Sequence, residues 1–320
     1  MFISLNRFIF NLLLLGIGLY LTFVVPVDAV LDRHNYLTYA KGSIEILQRN
    51  FDISIFYVFF NDPLWLLLNT FLMQFLSPES VIRSLIFFPF VLTGYISSKK
   101  VRNKELILYL FLVVIFPLVI KNNIVHLRQG VAICFFCIGW FFFENAKARV
   151  LFYLLATLIH SSFWFLAPFG IWHYFHKKLG YKRILYWFGT ISLILCIIFI
   201  FKTVVSYLPV RQVERVVSSS LNVSGIGLFF WSSLLLLFFT FKKNELYKYR
   251  LIISILPLYI SGYFFVPFIS RVFESFVIFI IIIPFLIDGK NRFLAFLPIL
   301  VFIFYYYFTN LGKPFFGWGY

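Results

Sequence analysis

Acidic residues are scarce in this chain. Twelve Asp and Glu stand against 28 Lys and Arg in 320 residues, and charged residues of both signs make up only 12%. A soluble domain of that composition could not cover its own apolar surface with polar groups. Cysteine is equally sparse, with three in all. Cys134 and Cys137 form a C-x-x-C, but it lies in a Phe-rich run with no second ligand pair, so it reads as packing. No D-x-D, H-E-x-x-H or paired C-x-x-C is present, so no metal is expected. There is no P-loop and no cytosolic domain to receive ATP or a nucleotide sugar, so no cofactor is expected either.

What the chain does contain is apolar length. Hydrophobic residues are 62% of the total, including 47 Phe, and the mean hydropathy is +0.94. Several uncharged runs approach the roughly 17–25 residues that a helix needs to cross a bilayer. The 19 Tyr and 7 Trp fall mostly near run ends, where an aromatic belt would sit. The net charge of +16 does not point to nucleic acid, because the cations form short clusters between apolar runs and no basic face or recognition module is present. Sorting of positive charge to the cytoplasm explains those clusters better.

Arg7 places the N-terminus inside, and Leu5–Val27 reads as a first span because it is too long for a signal h-region and has no cleavage site. The basic clusters at 99–104, 147–149, 177–183, 242–250 and 290–292 are placed inside as well. The fold class that follows is all-α: a single polytopic membrane domain over 1–320 with about 10–11 transmembrane helices. Its spans lie near 5–27, 81–97, 106–120, 129–143, 149–160, 163–175, 184–202, 225–241, 250–266, 271–287 and 292–308. External loops fall at about 28–80 and 203–224.

Ile53–Leu76 is apolar enough to cross, yet crossing would put Lys99–Lys104 outside. It is expected instead to be re-entrant or interfacial, broken at Asp62-Pro63. The run 149–175 is short for two spans, with His160-Ser161-Ser162 as its external turn and Pro168 as a kink. Irregular backbone at membrane depth needs protein or a watery cavity around it, so both segments point to a cavity opening outward. Two amphipathic helices are expected in the external loops, one on Tyr36, Ala40, Ile44 and Leu47, the other on Val210, Val213, Val217 and Leu221.

This topology gathers Asp32, His34, Asp62, His126, Arg128, His160, Arg211, Arg215, Arg271 and Glu274 at or beyond the external boundary. Arginines are normally depleted there, and a guanidinium suits phosphate because it is a planar fork of donors, permanently charged and weakly hydrated. Arg128 and Arg271 could also be snorkelling helix ends. His160 lies in an apolar run, where an ionisable group is a functional hypothesis by default, although a satisfied core histidine is the plain alternative. Asp32 and Asp62 each precede a helix, so each is either a general base or an ordinary N-cap.

The order of motifs carries a resemblance. Asp32 and Tyr36 form a D-x-x-x-Y, followed by Asn61-Asp62-Pro63-Leu64-Trp65, then Leu127-Arg128-Gln129-Gly130-Val131-Ala132, then Ile159-His160-Ser161-Ser162, and then Ser270-Arg271-Val272-Phe273. Over about residues 30–275 the chain resembles the EpsG-like family of bacterial polysaccharide polymerases, related in role to the O-antigen polymerases. The resemblance implies an enzyme on the periplasmic face of the inner membrane that joins undecaprenyl-pyrophosphate-linked oligosaccharides. A chain-length regulator and a flippase would act alongside it, and no nucleic acid is involved. Arg128 and Arg271 match the family's helix-start arginines, His160 its helix-end histidine, and Asp32 the acidic residue of its first loop. Asp62 stands where the family often has Glu. Catalysis is expected from Asp32, His160 and Arg128, and substrate binding from Arg211, Arg215, Arg271, Asp62, His126, Tyr36 and Glu274. The competing readings are a lipid-linked oligosaccharide flippase, which would normally show internal repeats and a polar path through the midplane, and a membrane acyltransferase, which would leave the arginines unexplained.

Overall fold

The apolar runs fold as helices, and the breaks between them fall where proline or a polar pair interrupts the hydrogen-bond ladder. In the computed structural model the structure describes residues 4–180, 182–203, 225–241, 243–266, 269–288 and 290–319. Among them the only β-type pairing is one bridge between Val30 and Gly319, so the chain is an all-α, polytopic membrane protein. Five helices among the described residues are long and apolar enough to cross a bilayer: Leu5–Val24, Pro78–Ser98, Arg183–Ile200, Ile269–Leu286 and Arg292–Thr309. A sixth candidate, Asn103–Val114 with Pro117–Ile124, is bent by 66° at the Phe116-Pro117 step, where proline removes a donor. Four further apolar helices are shorter: Pro63–Leu72, Leu127–Phe142, Ile226–Phe238 and Arg250–Gly262. The expected ten or eleven crossings therefore correspond to five or six helices of full length plus shorter pieces. Counting apolar runs cannot see where a run is split.

The chain divides into two compact units, residues 1–161 with 300–320, and residues 162–299. The first unit contains α1 (Leu5–Leu19), α2 (Arg33–Ile53), α3 (Ile55–Phe60), α4 (Pro63–Leu72) and α5 (Pro78–Ser98). It continues with α6 (Leu106–Tyr109), α7 (Pro117–Ile124), α8 (Leu127–Cys137) and α9 (Ala146–Ile159). α5 starts with the Ser77 hydroxyl accepting from the Ser80 N–H and with Pro78 in the first turn. Between apolar helices in lipid, water exclusion gives little, so close contact must hold them. α1 and α5 achieve it at Gly94, where a Cβ would lie 2.7 Å from Leu14 Cδ1. The end of the chain returns to this unit: the Leu31 N–H donates to the Trp318 carbonyl at 2.8 Å, and Phe302 stacks on Phe116 with centroids 5.1 Å apart.

α2 is the helix expected in the first external loop, but its buried side differs from the expectation. Arg33, Tyr36, Ala40, Ser43, Leu47 and Asn50 are buried, whereas Ile44 is exposed. The buried set steps by three and four residues, the seam of a helix packed on other helices, and α2 packs on α4 and α5. The second amphipathic helix falls outside the described residues. The expected break at Asp62-Pro63 is present between α3 and α4.

The second unit contains α10 (Leu166–Leu179), α11 (Arg183–Thr203), α12 (Ile226–Phe238), α13 (Lys243–Lys248), α14 (Arg250–Ile253), α15 (Ile255–Gly262), α16 (Ile269–Ile281) and α17 (Ile283–Leu286). α18 (Phe296–Thr309) runs from it into the first. Pro168 falls in the first turn of α10, where proline is tolerated, and not in the middle of a span. α16 is buried nearly throughout, with Phe273 against Trp231 at 4.5 Å and Tyr259 at 4.3 Å between centroids.

Candidate functional site

Two aspartates precede helices without capping them. Asp32, before α2, has φ 63°, and Asp62, before α4, has φ 56° and ψ 52°; neither side chain caps a backbone N–H of the helix it precedes. The left-handed region costs a non-glycine residue about 1–3 kcal/mol, with Asp at the lenient end. The capping alternative is thereby removed for both. What the conformation gains is direction, since each carboxylate faces a histidine.

Asp62 is the centre of the arrangement. Its side chain is 3% exposed, and Oδ2 accepts from Arg128 Nη1 at 2.6 Å. Oδ1 accepts from the Ser161 backbone N–H at 3.0 Å, and Nδ1 of His160 lies 3.9 Å from Oδ2. The second pair is more open: His126 Nδ1 is 3.7 Å from Asp32 Oδ2, with Asp32 48% exposed, and Asn35 donates to Asp32 Oδ1. Arg128, two residues beyond His126 on the first turn of α8, joins the two pairs. Its guanidinium lies over the Tyr39 ring at 5.3 Å and also reaches the Tyr36 hydroxyl.

Local structure explains this convergence. α9 ends at Ile159, and His160 is extended at φ −150°, ψ 120°, which frees Ser161 N–H from the helix ladder for Asp62. α8 starts hard against α7: a Cβ on Gly130 would lie 2.6 Å from the Asn122 carbonyl oxygen. Only glycine permits that approach, and it fixes the turn that carries Arg128. Tyr36 is buried edge-on to Trp65, with centroids 5.6 Å apart, and so ties α2 to α4.

The electrostatics follow from this geometry. Asp62 sits in the break between α3 and α4, outside the helices long enough to cross. Burial alone would raise its carboxyl, but Arg128, then His160 and the Ser161 N–H, outweigh burial and leave it below the usual carboxylate range. Burial pushes the Tyr36 hydroxyl up, partly opposed by Arg128.

Of the expected site residues, the first unit brings together Asp32, Tyr36, Asp62, His126, Arg128 and His160. Arg271 and Glu274 belong to the second unit, one turn apart at the start of α16. Arg211 and Arg215 lie outside the described residues. His34 is exposed. Sequence reasoning missed Tyr39 and two arginines. Arg33 is buried on α2, donates from Nε to the Ile124 carbonyl at 2.6 Å, and is pushed down to about 10 by burial. Arg83 donates to the Thr22 carbonyl at 2.8 Å. The three-and-four spacing that starts at Arg33 was the available signal for the first.

The whole motif order thus has a structural counterpart in one unit, apart from its last member. A family model describing the EpsG family matches residues 7–318. The chain belongs to the EpsG family. That is a family of exopolysaccharide and O-antigen polymerase-like proteins, so membership supports a polysaccharide-polymerase-like, multi-pass membrane protein. No curated protein and no solved structure matches the chain.

Proposed function

We propose that this EpsG-family chain is a polymerase that joins undecaprenyl-pyrophosphate-linked repeat units on the external face of the bacterial plasma membrane. The observation that carries the reading is the buried Asp62 carboxylate, held by Arg128 at 2.6 Å and Ser161 N–H at 3.0 Å beside His160. A histidine with a fixed carboxylate at Nδ1 is a base with its orienting group. The proton from the acceptor sugar hydroxyl goes to the ring nitrogen remote from Asp62. The hydroxyl oxygen then bonds to the anomeric carbon of the donor chain, and the bond from that carbon to the pyrophosphate oxygen breaks.

The leaving group is already activated, so the step requires no nucleotide. Arg128 stabilises the negative charge growing on the pyrophosphate, a task worth several kcal/mol in a water-poor site. It can do so while paired with Asp62, because a guanidinium presents five donors and the side chain is 30% exposed. Arg211, Arg215 and Arg271 are proposed as further phosphate-binding residues, on charge and motif alone. Asp32 and His126, at the open side, contact glycan hydroxyls. Asp62 itself is too buried to meet substrate and positions its neighbours.

The test is polymer length in cells deleted for this chain and complemented with variants. Arg128→Lys keeps the charge but loses the fork, and is expected to yield single repeat units with the protein present at normal level. Full-length polymer from Arg128→Lys would count heavily against the assignment.

A further inference from the structure

The second unit holds a cluster that the polymerase reading does not use. The last turn of α10, the start of α11 and the α13–α14 junction meet around Arg250, which is buried. Its guanidinium lies 3.4 Å over the Tyr247 ring and 5.0 Å over the Tyr186 ring. Nε donates to His173 Nδ1 at 3.1 Å, and Nη1 donates to the Tyr247 carbonyl at 3.4 Å. Arg183 approaches the same Tyr247 ring at 5.0 Å, so one ring carries two guanidinium groups.

The histidines add no negative charge. His173 Nδ1 accepts from Arg250, and His176 bridges the Tyr247 hydroxyl and the Lys182 carbonyl at 3.1 Å each, as a neutral ring can. Lys177, Lys178 and Lys182 are exposed around them. Among the described residues no carboxylate pairs with Arg183 or Arg250. Two cations on one ring, with no carboxylate paired to either among the described residues, make a site for an anion. Next to the cluster, Ile171, Phe175, Leu179, Ile184 and Phe188 on α10 and α11 are exposed and apolar. A free phosphate would have no use for such a flank, whereas acyl chains would lie along it.

We propose that this cluster binds the phosphate of an anionic phospholipid headgroup, with the lipid's chains against α10 and α11. The positive-charge distribution assigns the 177–183 and 242–250 clusters to the cytoplasmic face, where the anionic leaflet lies. From those two stretches, Lys182, Arg183, Tyr247 and Arg250 lie together in the second unit.

The full-length protein in detergent would be titrated with phosphatidylglycerol or phosphatidylcholine, and retained lipid counted by native mass spectrometry. Wild type is expected to retain phosphatidylglycerol in preference, and Arg183→Gln to weaken that retention about five-fold, the worth of one cation near a headgroup. Lys182→Gln, also at an exposed side chain, carries the same expectation, so loss of one variant to misfolding leaves the test standing. Arg149→Gln, in the first unit, should leave retention unchanged. Equal retention of the two lipids, or an unchanged preference in both variants, would overturn the proposal. Displacement of phosphatidylglycerol by millimolar inorganic phosphate would overturn the lipid as the source of the anion.

Discussion

Breaking the Asp62–Arg128 pair should destabilise the first unit by an amount the geometry fixes within limits. The two side chains are 2.6 Å apart, with Asp62 3% and Arg128 30% exposed. Removing one partner of a fully buried pair costs about 3–5 kcal/mol, whereas exposed pairs contribute about 0–1 kcal/mol. Arg128 retains part of its hydration, so the coupling between the two should be about 2 kcal/mol. Asp62→Asn, Arg128→Gln and the double variant form a cycle that isolates this quantity. The singles should also differ. Arg128→Gln leaves a buried carboxylate without its cation and should cost more than Asp62→Asn, which keeps an acceptor for Ser161 N–H and leaves a cation that water can reach. Reversible unfolding of the purified protein in mixed detergent micelles would measure all four stabilities. A coupling below about 1 kcal/mol, the range of exposed pairs, would refute the reasoning. So would a larger cost for Asp62→Asn than for Arg128→Gln.

Three further outcomes are expected. The Asp62 carboxyl lies lower in the folded than in the unfolded chain, so its contribution is fully present above its unfolded value, near 4, and is lost as pH falls through the folded one. The stability gap between wild type and Asp62→Asn should therefore be constant from neutral pH to about 4 and narrow in stronger acid; a gap that widens on acidification would contradict the sign. Gly130→Ala places a methyl 2.6 Å from the Asn122 carbonyl and should cost about 1–3 kcal/mol by thermal unfolding while shortening polymer, with no effect at all showing that α7 and α8 can part freely. His160→Gln should abolish polymerisation with the protein still folded, and normal polymer from it would return the base assignment to Asp32.

Much of this was legible in the sequence, and the misses have physical causes. The apolar runs located nearly every helix, because bilayer length and the need to pair every backbone group leave few alternatives. The break at Asp62-Pro63 and the end of α9 at His160 were visible, since proline and a polar Ser-Ser pair interrupt runs that otherwise contain little but Leu, Phe and Ile. The breaks within runs were less visible: the 66° bend at Phe116-Pro117 and the short α15 depend on packing between helices. The face of α2 was misread by one position, Ile44 for Ser43, because apolarity was taken to mark burial in a helix that packs through Arg33, Ser43 and Asn50 as well. The pairings of Asp62 with Arg128 and of Asp32 with His126 link residues 66 and 94 positions apart, and no local pattern encodes them.

Polymerisation by this chain would transfer a glycan from one polyprenyl pyrophosphate to another repeat unit. Purified protein incubated with a synthetic polyprenyl-pyrophosphate-linked repeat unit, without nucleotide, would be followed by mass spectrometry. A ladder of lengthened glycans, with free polyprenyl pyrophosphate released in step, is expected from wild type, and no ladder from His160→Gln. Unchanged substrate, with the intact lipid instead moving between leaflets of liposomes, would contradict it and make the Asp62–Arg128–His160 cluster part of a transport path.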